Sequence, residues 1–129
     1  MNVLAIDLGD KRTGLAVGDD QTGIVTPVDV VETSDPATRL NAIARLADEH
    51  EVGALVVGLP LNMDDTEGPA AKAARAFAAA LESRTGRPVH LFDERLSSYQ
   101  ADQHMSRSAS AHKQKKRRRG ALAVAAALL

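Results

Sequence analysis

Residues 2–19, NVLAIDLGDKRTGLAVGD, hold the pattern from which the fold is read. A short apolar run from Val3 to Ile6 ends in Asp7, and two glycines, Gly9 and Gly14, bracket the charged residues that follow. Residues 2–8 form a buried strand, Gly9–Thr13 a turn, and Gly14–Gly18 a second strand. The glycines satisfy tight-turn geometry, and their bare backbone also lets a phosphate approach. Both readings stand at this point.

Working outward, Asp19–Gly23 is a polar turn and Ile24–Val31 a third strand. Short turns between successive strands predict an antiparallel meander. Ser34-Asp35-Pro36 supplies a helix cap with proline in the first turn, and Leu40, Ile43, Ala44 and Ala47 then fall at helical spacing. Val52–Val57 is a continuous apolar run of the kind a central parallel strand shows when both its faces are covered. Gly58–Gly68 is a loop, Pro69 to about Ser83 an alanine-rich helix stopped by Thr85-Gly86-Arg87-Pro88, and Val89–Phe92 a further strand running into Asp93-Glu94-Arg95. Ser97 and Gln100 have capping-box spacing at the start of another helix. A last helix starts in the basic run and carries the apolar tail. A meander followed by alternating strands and helices predicts an α/β fold with a mixed sheet, built as one domain over residues 1–129.

Composition narrows the function classes. Hydrophobic residues make up 44% of the chain but aromatics only 2%, so the core must be aliphatic, with alanine allowing close helix packing. With no cysteine, thiol nucleophiles, disulfides and zinc ribbons are excluded, which fits a cytoplasmic protein. Neither a signal sequence nor an apolar run of membrane-spanning length is present. The formal net charge of −1 conceals an asymmetry: residues 1–112 carry a net −7, and residues 113–129 carry six basic groups and no acid. The run Lys113, Lys115, Lys116, Arg117, Arg118, Arg119 is either a polyanion contact or a solvated charged stretch.

Candidate chemistry gathers at the strand ends. In open α/β sheets, sites form beyond the carboxyl ends of the parallel strands, where Asp7 ends the first strand and Asp93-Glu94 the last. If those strands are neighbours, carboxylates from opposite ends of the sequence meet, and a hard cation such as Mg²⁺ or Mn²⁺ relieves their repulsion. The structural alternative makes Asp7 the start of an Asx-type turn and pairs Glu94 with an arginine. Asp64-Asp65 reads as a polar turn, and the four histidines show no metal-ligand spacing.

Four segments together, DLGDKRTGLAVGD (7–19), VVGLPLNMDDTEG (56–68), DERLSSYQAD (93–102) and the basic run before an Ala-Ala helix, resemble the YqgF/RuvX family. These bacterial proteins have a ribonuclease H-like fold and are described as Holliday-junction resolvases and as nucleases that mature the 16S ribosomal RNA precursor. The resemblance implies a five-stranded mixed sheet flanked by helices and a metal-dependent endonuclease acting on structured RNA or branched DNA, as a monomer or homodimer. It also implies that Asp7 and Glu94 are catalytic metal ligands for Mg²⁺ or Mn²⁺, with Asp93 accessory. Gly9, Arg12 and Gly14 would form the loop beside the site. Arg12, Arg95 and the basic run would contact phosphate, the planar guanidinium fork of Arg95 suiting phosphate oxygens.

One element departs from the family pattern, which ends in Asp-x-x-Ala-Ala on the last helix. Here Gly120–Leu129 reads GALAVAAALL, so Leu122 or Ala123 occupies the aspartate position, and no carboxylate follows Asp102. The implied site is therefore impaired, restricted to one metal, or dependent on Asp93 or Asp10. The alternative function is a nucleic-acid-binding protein of the same fold with weakened or lost catalysis. An actin-like sugar-kinase or ATPase fragment shares the D-x-G loop, but that architecture needs two domains to close over a nucleotide.

Overall fold

Seven elements follow one another along residues 1–94, which with Ala125 are the residues that the computed structural model describes. They are β1 (Asn2–Asp7), β2 (Arg12–Asp19), β3 (Val25–Glu32), α1 (Pro36–Glu49), β4 (Ala54–Leu59), α2 (Pro69–Thr85) and β5 (Val89–Asp93). The strands form one sheet in the order β3-β2-β1-β4-β5. β1, β2 and β3 pair antiparallel as the short turns predict, while β4 runs parallel to both β1 and β5. The result is a five-stranded mixed sheet of the α/β class. β1 and β5 are not neighbours, because β4 lies between them and separates the two ends of the chain by one strand.

Alternation of side chains sorts the strands into two faces. On one face Leu4, Ile6, Leu15, Leu55, Val57 and Leu59 meet Ile43 and Ala47 of α1 and Ala71, Ala74, Ala78 and Leu81 of α2. On the other, Val3, Ala5, Ala16 and Val56 pack with Ala125, which lies in helical backbone. All six residues of β4 are buried, as expected of a strand covered on both sides. The helices are bounded by local chemistry. Asp35 caps α1 by accepting from the Thr38 amide at 3.0 Å, and Gly86 ends α2 in the left-handed conformation at φ 67°.

Two strands differ by two residues at an end from the ranges the sequence pattern predicts, and the other three by one. β4 is displaced by two residues, since Val52 and Gly53 belong to the approach: the Val52 carbonyl accepts from Arg87 Nε at 2.9 Å, and the Gly53 amide donates to the Asn2 carbonyl at 2.8 Å. The strand then continues through Gly58 and Leu59, which the sequence assigns to a loop. β2 also starts earlier, so Arg12 and Thr13 are strand residues and not part of the turn. Among the described residues no helix is long and apolar enough to cross a membrane. Arg95, the Ser97–Gln100 capping box, the basic run 113–119 and the rest of the C-terminal segment lie outside the described residues.

Candidate active site

Asp7 is the last residue of β1, and alternation puts it on the face shared by Val3, Ala5 and Ala125. It is only 7% exposed, one of three buried polar or charged residues among those described. Its partner on β2 is Gly14. On the other side, the β1–β4 register runs to Ile6 and Val57, so the next residues along are Asp7 and Gly58. Asp7 is therefore flanked by glycine on both neighbouring strands, and no side chain walls it in from either.

Glu94 reaches the same face by a different route. Its amide donates to the Leu59 carbonyl at 3.1 Å, fixing the residue to the end of β4. Its side chain lies over Gly58: a Cβ built there would stand 2.7 Å from Glu94 Cγ and 2.8 Å from Cδ. The structure thus gathers Asp7, Gly14, Gly58 and Glu94 at the carboxyl ends of the parallel strands. Asp93 is in register with Leu59 and follows Phe92, so alternation sends it toward the helix-covered face, away from Asp7. Arg12 opens β2 two residues before Gly14, on Asp7's face and half-buried. Gly9 and Asp10 lie in the loop between β1 and β2, with Asp10 exposed.

Two further residues shape the site and carry no signal as ligands. Arg39 of α1 is 8% exposed and donates through Nη2 to the Asp10 carbonyl at 2.6 Å and the Thr33 carbonyl at 2.8 Å. It anchors the loop after Asp7 from the helix side. The available sign was its position four residues before Ile43, on the buried stripe of an amphipathic helix. Gly58 could have been found from its place in an otherwise apolar run, had the strand been extended to include it.

The loop that leaves β4 beside the site is closed by its own polar groups. The Asn62 amide donates to the Thr66 carbonyl at 2.9 Å, and the Thr66 hydroxyl and amide donate to Asp64 at 2.6 and 3.1 Å. Arg75 pairs with Glu67 at 2.7 Å. The Thr66 hydroxyl holds the Asp64 carboxyl below the ordinary carboxylate range, and the Arg75 guanidinium does the same for Glu67.

Whether the donor set suits a metal follows from its chemistry. Asp7 and Glu94 offer hard anionic oxygens over a floor of bare backbone, which fits Mg²⁺ or Mn²⁺. Among the described residues no group of three or more His, Asp or Glu side chains that could hold a metal ion occurs.

Comparisons with known proteins bear on the family and the fold. The profile of the family described as "RuvX: Holliday junction resolvase" matches residues 1–129. A protein of Anaeromyxobacter sp. (strain K) named "Putative pre-16S rRNA nuclease" is 49% identical over 116 residues, covering 89% of this chain and 85% of its own. One of the same name from Opitutus terrae is 48% identical over 109 residues, covering 84% and 74%. Among solved structures, T. thermophilus RuvC in complex with Holliday junction substrate superposes with a TM-score of 0.63 at 15% identity, over 99% of this chain and 94% of that one. The Fowlpox virus resolvase bound to Holliday junction DNA gives 0.55 at 12%, over 100% and 99%. At such identities these structures show a shared fold, that of the resolvases. A ROK hexokinase from Thermus thermophilus matches with a TM-score of 0.51 and 25% identity, but this chain corresponds to only 41% of it. With one family profile running the full length and about half of the aligned residues shared with such relatives, the chain belongs to the RuvX family.

Proposed function

We propose that the chain is a metal-dependent endonuclease that hydrolyses phosphodiester bonds in structured nucleic acid, either a 16S ribosomal RNA precursor or a four-way DNA junction. The observation that carries this reading is the convergence of Asp7 and Glu94, 87 positions apart in the sequence, on one face at the carboxyl ends of β1 and β4. The names of the relatives support the RNA substrate and the family's description the DNA junction. We place the activity in the cytoplasm, where both substrates are found, and in one domain over residues 1–129.

Asp7 and Glu94 would hold the divalent cation, which when bound supplies charge neutralisation at the scissile phosphate and a water of lowered pKa. The chain's own contribution is position. Gly14, paired with Asp7 on β2, lets a phosphate approach that carboxylate without meeting a side chain from its own position. Arg12, on the same face, offers a guanidinium fork for phosphate oxygens. The basic run from Lys113 to Arg119, with Arg95, would neutralise flanking phosphates and so bind largely without regard to sequence. Hydrolysis consumes one water and leaves a phosphomonoester on one fragment and a hydroxyl on the other.

A second reading, binding without cleavage, is favoured by the lack of any carboxylate after Asp102. One experiment separates the two. A branched DNA and a 16S precursor fragment are incubated with the parent and with Asp7→Asn, in Mg²⁺ and in Mn²⁺. The nuclease reading expects cleavage by the parent and a loss of about a hundredfold or more in the variant. Tight binding with no cleavage, together with activity gained when an aspartate is inserted after Leu122, would establish the binding reading instead.

A further inference from the structure

Glycine within a buried strand weakens it relative to alanine, through greater backbone entropy and the absence of a side chain to pack. Gly58 sits between Val57 and Leu59 in a strand whose every residue is buried. Its backbone gives no reason for glycine, because the positive-φ glycines among the described residues are Gly23 and Gly86. The reason lies in the space above it. A Cβ on Gly58 would fall well inside van der Waals range of Glu94 Cγ and Cδ, at 2.7 and 2.8 Å, and closer still to Oε1.

Strand spacing makes that space matter. Neighbouring strands lie about 4.8 Å apart, so side chains rooted on β1 and beyond β5 stand roughly 10 Å apart at their backbones. Two carboxylates that share one small divalent cation must each come to about 2.0–2.1 Å from it. Glu94 therefore has to cross the strand that separates it from Asp7. It can do so only by lying flat on that strand, and only a residue without a side chain permits this.

We propose that Gly58 is a positioning residue, which places the Glu94 carboxylate within reach of Asp7 by leaving β4 bare beneath it. The inference rests on the nuclease reading for its metal, and on the fold alone for the placement of Glu94. Alanine at 58 would meet the far end of a flexible side chain and not backbone, so the side chain yields and the fold is kept.

The test is a double-mutant cycle on Gly58→Ala and Glu94→Gln, read by Mn²⁺ binding in electron paramagnetic resonance without substrate. Gly58→Ala is expected to weaken Mn²⁺ binding by about tenfold to a hundredfold, the range typical when a metal ligand loses its support. Added to Glu94→Gln it should cost little more, because the carboxylate it displaces is already gone. Parent-like binding by folded Gly58→Ala, or effects that simply add, would overturn the proposal. If the parent binds no Mn²⁺, the nuclease reading fails, and the placement is decided by crystal structures of the parent and of Gly58→Ala. A Glu94 carboxylate that lies over residue 58 in the parent and leaves it in the variant supports the proposal, and one that stays in place overturns it. Should Gly58→Ala not fold, Gly58→Ala/Glu94→Ala must, since truncating Glu94 vacates the room. A double variant that also fails to fold would overturn the idea.

Discussion

Arg39 carries its charge under the sheet, where a guanidinium is tolerated only if backbone acceptors come to it. Its Nη2 finds two, the carbonyls of Asp10 and Thr33, while Nε has no hydrogen-bond partner among the described residues. The Thr33 amide in turn donates to the Lys11 carbonyl at 2.9 Å, so the loop after Asp7 and the entry to α1 are tied together twice. Arg39→Met keeps most of the volume and strands both carbonyls. It should lower stability by about 2 kcal/mol, given that hydrogen bonds to charged groups contribute more than neutral ones. For a chain of this size the thermal midpoint then falls by about 7 °C, measurable by circular dichroism. Asp7 and Glu94 were legible in the sequence because carboxylates at strand ends are conspicuous. Arg39 was not, since one of its two acceptors, the Asp10 carbonyl, lies 29 residues away and only the tertiary fold brings the two together.

At the scale of single elements, α1 depends on its first residue pair. The Thr38 hydroxyl and amide both donate to the Asp35 carboxylate, and this holds its carboxyl below the ordinary range. A group whose folded pKa is depressed contributes stability above its unfolded pKa and loses it as pH falls through the lowered value. The protection of the Thr38 amide relative to its intrinsic exchange rate should therefore decline once the pH drops below about 4. Asp35→Ala should lower the thermal midpoint at neutral pH by about 3–4 °C, and the gap from the parent should narrow in acid. A gap independent of pH would show that the cap does not work through the ionised carboxylate. Such caps are written in two or three adjacent residues, and for that reason the start of α1 and both ends of α2 could be read to within a few positions. The ends of β4 could not, because a strand stops where its neighbours stop pairing. Its limits are set by Asn2, Arg87 and Glu94, none of which lies within the apolar run.

For the whole molecule, charge is divided along the chain: a net −7 over residues 1–112 and six basic groups beyond. An acidic body repels nucleic acid in general, so affinity must come through the basic run if that run binds phosphate. Replacing Lys115, Lys116, Arg117 and Arg118 with glutamine should flatten the slope of log K against log salt by about 3 to 4 on a duplex arm, at roughly 0.9 for each phosphate no longer neutralised. Fluorescence anisotropy over a salt series measures this, and an unchanged slope would assign the run to solvent. The strand order has a consequence in time. β1 cannot acquire its parallel partner until β4 exists, and the face that Asp7 occupies gains Glu94 only when the chain has grown past β5. During synthesis the first carboxylate leaves the ribosome long before the second, and pairings of such sequence separation form late in folding. On the proposed reading a nascent or C-terminally clipped chain would thus hold half a site, and the nuclease would stay harmless to nucleic acid near the ribosome until β5 has joined its sheet.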